Sequence, residues 1–361
     1  MTVPRAACLA ATAAALLLLP TAAQAKSRTK TVDMGVPAAS QNQFNSLSSD
    51  VNDFFPHSIT IRAGDRIRFR PVGFHSVDLP KRGDGPLPLI LPTGKTIAGV
   101  NDAGGTAFWF NGRPELNLNP ALAVPLFGKH VTYRNKRIES GLPLGPTTPP
   151  PFTVRFKKKG TYTYYCNVHP GMTGKILVKR KNASVPTAKQ DRQRVKAQLK
   201  RDRNRAKKLA KSKGPTGDTV HVGGSTPGGV EFFGMLPATK TVKAGTTVTF
   251  MMSPKSFEVH TASFGPGNPE QEPTSYLGAI AASFQSPLID QRGVYPSEQP
   301  GSVADYSSAL HGNGFWSSGV LDNNSQSQLP AANVVKFTTP GTYDYYCLIH
   351  PFMHGQVVVT P

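Results

Sequence analysis

Residues 343–358 read Tyr-Asp-Tyr-Tyr-Cys-Leu-Ile-His-Pro-Phe-Met-His-Gly-Gln-Val-Val, and residues 162–177 read Tyr-Thr-Tyr-Tyr-Cys-Asn-Val-His-Pro-Gly-Met-Thr-Gly-Lys-Ile-Leu. Both follow Tyr-x-Tyr-Tyr-Cys-x-x-His-Pro-x-Met-x-Gly, and both come after a Gly-Thr turn that opens a β-rich run. A thiol, an imidazole and a thioether therefore stand within seven residues, at the same spacing twice. A lone Cys-x-x-His would be a weak signal. Two copies sharing this many fixed positions are a strong one.

Working outward, the flanks read as strands. Pro56 to Phe69 alternates apolar and polar residues at period two across an Ala63-Gly64-Asp65 turn, and Pro237 to Phe250 repeats this across Ala244-Gly245-Thr246. That pattern predicts a strand, a tight turn and a second strand in each copy. A lone histidine follows each pair, His75 before Ser76 and His260 before Thr261. Long segments rich in Gly, Pro, Asn and Ser come next, with Phe108-Trp109-Phe110 and Phe315-Trp316 as apolar anchors and no assigned elements. Strands are again expected at 153–156 and 334–337, then the Tyr-rich strand into each Cys, then 175–178 and 356–359. The chain thus reads as an internal duplication. Regular turn spacing with alternating strands predicts an all-β chain of two Greek-key β-sandwiches.

A Cys at a strand end, a His three residues on and a Met beyond the Pro can face one ion from three directions. The fourth donor has to come from elsewhere, and the histidines in comparable position are His75 and His260. One set is then His75, Cys166, His169 and Met172, and the other is His260, Cys347, His350 and Met353. Thiolate and imidazole with thioether select copper over harder cations; trigonal His₂Cys with a weak axial Met is the blue-copper arrangement. Ser76 and Thr261, beside the remote histidines, are candidates for orienting hydrogen bonds.

Tyr-Tyr-Cys-x-x-His with its following Met, after a Gly-Thr-Tyr turn, resembles the cupredoxins of the plastocyanin/azurin family. The spacing from His to Met, and the wording His350-Pro351-Phe352-Met353-x-Gly355, are most similar to amicyanin. The resemblance covers about a third of the chain (the strands before the remote His and the terminal loop of each copy), and not the long middle segments. It implies one type 1 copper per unit, so two in the chain, in eight-stranded sandwiches. It also implies that His169 and His350 are partly exposed in apolar patches as the electron's exits. Two departures stand out: Ser76 and Thr261 replace the Asn common after the remote His, and His260 follows its turn at a longer offset than His75.

The remaining sequence bounds the setting. Arg5, the apolar run Ala6 to Leu19 and Ala23-Gln24-Ala25 form a secretory-signal pattern over 1–25, too short in its apolar run for a membrane span. The units are then 26–179 and 214–361, and the mature protein is expected outside the cytoplasm, as a secreted, periplasmic or cell-surface protein. Cys8 falls in the leader, which leaves Cys166 and Cys347, each with its own His and Met, rather than a disulfide. Residues 179–213 carry fifteen Lys/Arg against two Asp. Val195, Leu199, Ala206 and Leu209 form a thin apolar stripe at helical spacing there, so 180–213 is a basic linker, helical or partly disordered. Such runs bind anionic membrane surfaces or nucleic acid, or simply lie solvated on a neighbouring domain; nucleic acid is not the expected partner. The net charge of +20 is uneven, +11 over residues 26–178 against −5 over residues 214–361, which could dock the halves or steer different redox partners.

Three function classes compete. The first is an electron carrier serving unidentified redox partner proteins. The second is a non-redox copper-binding, storage or surface-attachment protein, whose site need not show intense thiolate-to-copper absorption. The third is a multicopper oxidase or nitrite reductase. That class needs further His clusters, typically His-x-His, and no two of the nine histidines here are separated by a single residue. The first is the expected reading, and the protein is not expected to be an enzyme.

Overall fold

The structure, a computed structural model, describes residues 27–361 apart from 146, 287, 325, 326 and 328; the leader expected at 1–25 lies outside the described residues. The described chain is mostly strand, and the strands form two β-sandwiches. In the first, one sheet runs in the order Phe54–Phe55, Thr29–Met34, Arg66–Pro71, Phe152–Phe156, His130–Tyr133, and the facing sheet runs Ile138–Glu139, Asp78–Leu79, Gly160–Tyr165, Thr173–Lys179, Ser58–Arg62.

The expected turn at Gly64 is present, but it does not make a hairpin. Ser58–Arg62 pairs parallel with Thr173–Lys179, whereas Arg66–Pro71 pairs parallel with Thr29–Met34 and antiparallel with Phe152–Phe156. The turn carries the chain from one sheet to the other. Gly64 supplies the left-handed φ of +100°, and the buried Asp65 carboxylate accepts from the Arg62 and Arg28 amides at 2.9 and 2.8 Å. Period two then does its ordinary work: Ile59, Ile61, Ile67 and Phe69 face the core, packed with Val154, Phe156, Ile176 and Val178.

The second sandwich repeats the pairings. Thr239–Lys243 runs parallel to His354–Thr360 in one sheet, and Thr246–Met252 lies between Thr219–Thr226 and Ala332–Phe337 in the other, joined across Gly245 at φ +90°. Val248, Phe250, Val335, Phe337, Val357 and Val359 fill its core.

The two sandwiches are not beads on a linker. Ser49–Val51, from the first half, pairs antiparallel with Val230–Leu236 and extends a sheet of the second sandwich to six strands. The long middle segments, unassigned from sequence, join the halves elsewhere. Ile97, Phe108 and Phe110 share a buried cluster with Leu277, Ile280, Phe315 and Leu348. Trp109 Nε1 donates to the Pro296 carbonyl at 2.9 Å, and Gln291 exchanges hydrogen bonds with the Leu116 main chain at 3.0 and 2.9 Å.

The basic linker contains a helix, Ala188–Leu209, opened by a capping box in which Thr187 accepts from the Gln190 amide. The predicted stripe is its inner face: Val195, Leu199, Ala206 and Leu209 pack with Val51, Phe55 and Val230 of both halves. Gln198, buried, donates to Asp53 Oδ2 at 2.9 Å and the Phe54 carbonyl at 3.0 Å. The helix therefore lies on the junction, with most of its Lys and Arg outward.

His311 ties the middle segments together, with Nδ1 at 3.2 Å from Asp102 and Nε2 at 2.7 Å from Glu298. Burial would lower its pKa, but the hydrogen bonds and charges of Glu298 and Asp102 outweigh this and raise it. A raised folded-state pKa makes this contact strongest below the ordinary imidazole value of about 6.5, and the contribution is lost as pH rises through the raised value. His311 sits at φ +52°, a backbone Asn tolerates, so His311→Asn isolates the side chain. We expect about 1–2 kcal/mol of destabilisation in denaturant melts near pH 5.5, shrinking towards pH 9; an equal loss at both pH values would refute the ion-pair account.

Candidate metal centres

Each Cys follows the end of the Tyr-rich strand and opens a loop closed by its own backbone. The Cys166 amide donates to the Met172 carbonyl at 3.0 Å and the Met172 amide to the His169 carbonyl at 3.0 Å. In the second unit the Cys347 and Met353 amides do the same at 3.0 and 2.8 Å. The motif glycines explain themselves: a Cβ on Gly174 or Gly355 would stand 2.2 or 2.6 Å from the ring of Tyr164 or Tyr345, the second tyrosine of each motif. Those rings lie fully buried against the core.

The loop meets the remote histidine. His75 Nδ1 lies 2.9 Å from His169 Nδ1, and Cys166 Sγ lies 4.0 and 3.6 Å from these two nitrogens. In the second unit His260 Nδ1 lies 3.1 Å from His350 Nδ1, with Cys347 Sγ at 3.8 and 3.7 Å. Met172 and Met353 are buried at the end of each loop, in the same core cluster as their Cys. Each set is thus three converging donor atoms in a desolvated place, able to hold one ion. The thiols are free, each in its own half, so no disulfide joins them.

Electrostatics agree with the geometry. Burial would push the Cys166 thiol up, but hydrogen bonds and charge from His169 and His75 hold it well below the ordinary thiol value. Cys347 is lowered in the same way by His260 and His350. A thiolate, the ligand form of cysteine, is therefore favoured at both places. The Ser76 and Thr261 amides point at Cys166 and Cys347 Sγ, both at 3.4 Å. Ser76 Oγ also accepts from the Asn167 amide at 2.9 Å, and Thr261 Oγ1 from the Leu348 amide at 2.8 Å. Both hydroxyls lock the residue after the Cys, the orienting role expected of them.

The structure adds residues the sequence did not flag. A Cβ on Gly35 would fall 2.8 Å from His75 Nε2, and one on Gly223 would fall 2.5 Å from His260 Nε2. Both glycines have positive φ, +106° and +82°. Gly35, directly after Thr29–Met34, and Gly223, within Thr219–Thr226, thus carry the backbone close past each remote imidazole and limit its ring position. The only sequence signal was a glycine in a β run, which ordinarily marks a bulge or a close approach.

The exits implied by the resemblance need correction. His169 is 6% exposed, buried under the second unit. The residues responsible are Phe257 and Glu258, in the longer stretch between Gly245 and His260. A Cβ on Gly171 would stand 2.5 Å from the Phe257 ring, and Glu258 Oε1 lies 3.2 Å from His169 Nε2. His350 keeps part of the expected setting: its side chain is 19% exposed, its ring lies 5.0 Å from that of Phe233, and Phe352 beside it is 51% exposed. The other histidines lie elsewhere. His57 pairs with Asp53, His130 and His354 are exposed, His221 sits partly buried on its strand, and His311 bridges Asp102 and Glu298.

No family model matches the chain. A stretch of 25 residues is 72% identical to amicyanin-alpha of Methylorubrum extorquens; it is 7% of this chain, which spans about a fifth (21%) of that relative. Among solved structures the chain is similar to a Cu(I) form of a mutant amicyanin, at 12% identity over 42% of this chain and 82% of the other, TM-score 0.21. It is also similar to oxidized plastocyanin from Dryopteris crassirhizoma, at 21% identity over 39% and 99%, TM-score 0.20. The fold described above rests on the strand pairings themselves.

Gly35→Ala should strain the backbone by about 1 kcal/mol or more and displace His75, weakening metal binding at the first centre about 10–100-fold while sparing the second. Gly223→Ala should do the reverse. Metal titration of the two variants checks this; unaltered binding in both would show that the remote imidazoles are not held by these glycines.

Proposed function

We propose that the protein is an extracytoplasmic electron carrier with one type 1 copper in each cupredoxin-like sandwich. One observation carries the reading: the same cluster of buried thiolate and two imidazole Nδ1 atoms is assembled twice, from the same positions of a repeated loop. His75, Cys166, His169 and Met172 would hold one ion, and His260, Cys347, His350 and Met353 the other. Copper, when bound, supplies a one-electron couple between Cu(I) and Cu(II).

The residues present fit that ion. Three donors are soft or borderline, and the thiols are held as thiolates by their own imidazole neighbours. Both centres sit in packed sandwich cores braced by main-chain hydrogen bonds, which resists a change of ligand positions between redox states. The amicyanin stretch, short as it is, supports copper as the metal. No described helix is long and apolar enough to cross a membrane. The leader pattern at 1–25 supports export. The outward Lys and Arg of the Ala188–Leu209 helix support contact with an anionic surface, and the apolar rim of Phe233 and Phe352 at His350 supports docking of a redox partner protein.

Cys166→Ser and Cys347→Ser should each abolish one bound copper and remove about half of the intense visible absorption of the oxidised protein, since that band comes from copper bonded to thiolate. Circular dichroism would confirm that each variant keeps its strands. A variant that keeps the whole spectrum would mean its cysteine is no ligand. Copper bound without colour or reversible one-electron chemistry would instead support storage.

A further inference from the structure

We propose that Glu258 couples the two centres, its carboxylate standing between the imidazoles of His169 and His350 so that a single electron passes from one centre to the other inside the chain. This rests on the copper reading above. It starts from the two rings: in both histidines Nδ1 faces the thiol, at 3.6 and 3.7 Å, which leaves Nε2 pointing away from it. Both Nε2 atoms point at the same side chain. Glu258 Oε1 lies 3.2 Å from His169 Nε2, and Oε2 lies 3.7 Å from His350 Nε2, a hydrogen bond at one end and a looser ion-pair separation at the other.

The carboxylate is deliberately supported. Glu258 is 4% exposed, and Asn52 of the first half donates Nδ2 to Oε1 at 2.8 Å. The Glu258 amide is held by Ser256 Oγ at 3.0 Å, which in turn donates to Glu231 Oε2 at 3.0 Å; Glu231 Oε1 also accepts from the Phe257 amide at 2.7 Å. Glu231 lies on the strand that pairs with Ser49–Val51, so the backbone pairing that joins the halves also builds the bridge. Burying a carboxylate is costly when its partners are poor, and a solvated loop would have avoided the cost. The equivalent loop of the first unit is four residues shorter between Gly64 and His75 than this one between Gly245 and His260, and has no Glu before its histidine.

With Phe257 over the His169 loop, the first centre faces the second unit, while His350 keeps an apolar opening beside Phe352. In the half-reduced molecule one electron leaves one centre and enters the other. One ion is oxidised as its counterpart is reduced, no bond forms or breaks, no proton leaves either ring, and no outside reagent is consumed. Glu258 is a positioning residue in this step: it fixes both ring orientations and closes the gap between them.

The test is Glu258→Gln in the full chain. A glutamine can accept at only one end and presents N–H to the other imidazole, so the bridge is broken with little change of shape. In the copper-free protein, nitrogen-15 spectra should show the imidazole signals of both His169 and His350 shifted; a shift of His169 alone would overturn the bridge. In molecules carrying both coppers and reduced by one electron with a radiolytic pulse, exchange between centres should slow about tenfold or more; an unchanged rate would overturn the proposal. If Glu258→Gln folds poorly, Asn52→Ala, which removes only the Oε1 donor, should slow exchange by a smaller factor, and no slowing would count against the bridge. Absence of copper in the unaltered protein would sink the copper reading, and the imidazole spectra would still decide whether the carboxylate joins the two rings.

Discussion

A thiol and two imidazoles brought within 4.0 Å of one another in a desolvated core are an expensive arrangement, and the rest of the molecule is built to hold it. The loop from Cys to Met is tied by two main-chain hydrogen bonds, and a hydroxyl from Ser76 or Thr261 grips the residue after the Cys. The remote imidazole is wedged against Gly35 or Gly223, at or just past the first strand. The sandwich core behind supplies a rigid floor. That floor consists of Tyr164 and Tyr345, each lying over a glycine too small to intrude. Remove any one of these and the donors can drift apart; together they leave little freedom for the ring positions.

Much of this was legible in the sequence because it is local. The motif fixes which strand ends carry donors, period-two alternation finds Ser58–Arg62, Arg66–Pro71 and their counterparts, and the repeat pairs each loop with one remote histidine. The stripe Val195, Leu199, Ala206 and Leu209 likewise revealed the linker helix and its inner face. What the sequence could not show is non-local. The turn at Gly64 looks like a hairpin turn, yet hydrogen-bond partners far along the chain send its two strands to opposite sheets. Gly35 and Gly223 matter through approach to a ring some forty residues away. The middle segments have weak periodicity because their stability comes from Phe108, Phe110 and Phe315 meeting across the halves.

The most consequential miss concerns His169. A resemblance to single-domain carriers implies an exposed imidazole, but duplication gives the surface around it a new neighbour. The extra residues ahead of His260 were visible as an irregular offset, and their position gave no hint that they would reach the other unit. Phe257 covers the His169 loop and Glu258 stands at its Nε2. The Ser49–Val51 strand paired into the second sandwich and the helix laid across the junction hold the two sandwiches in the pose that makes this contact. The chain is better described as one body holding two thiol–imidazole clusters than as two sandwiches on a string.

That description stands or falls on the metal. Elemental analysis of the intact, fully oxidised protein together with its visible spectrum is the most direct measurement. The account predicts two copper ions per chain, one for each buried cluster, both contributing an intense thiolate-to-copper band. A protein that takes up another metal in preference, binds a single copper, or binds two without that band would contradict it.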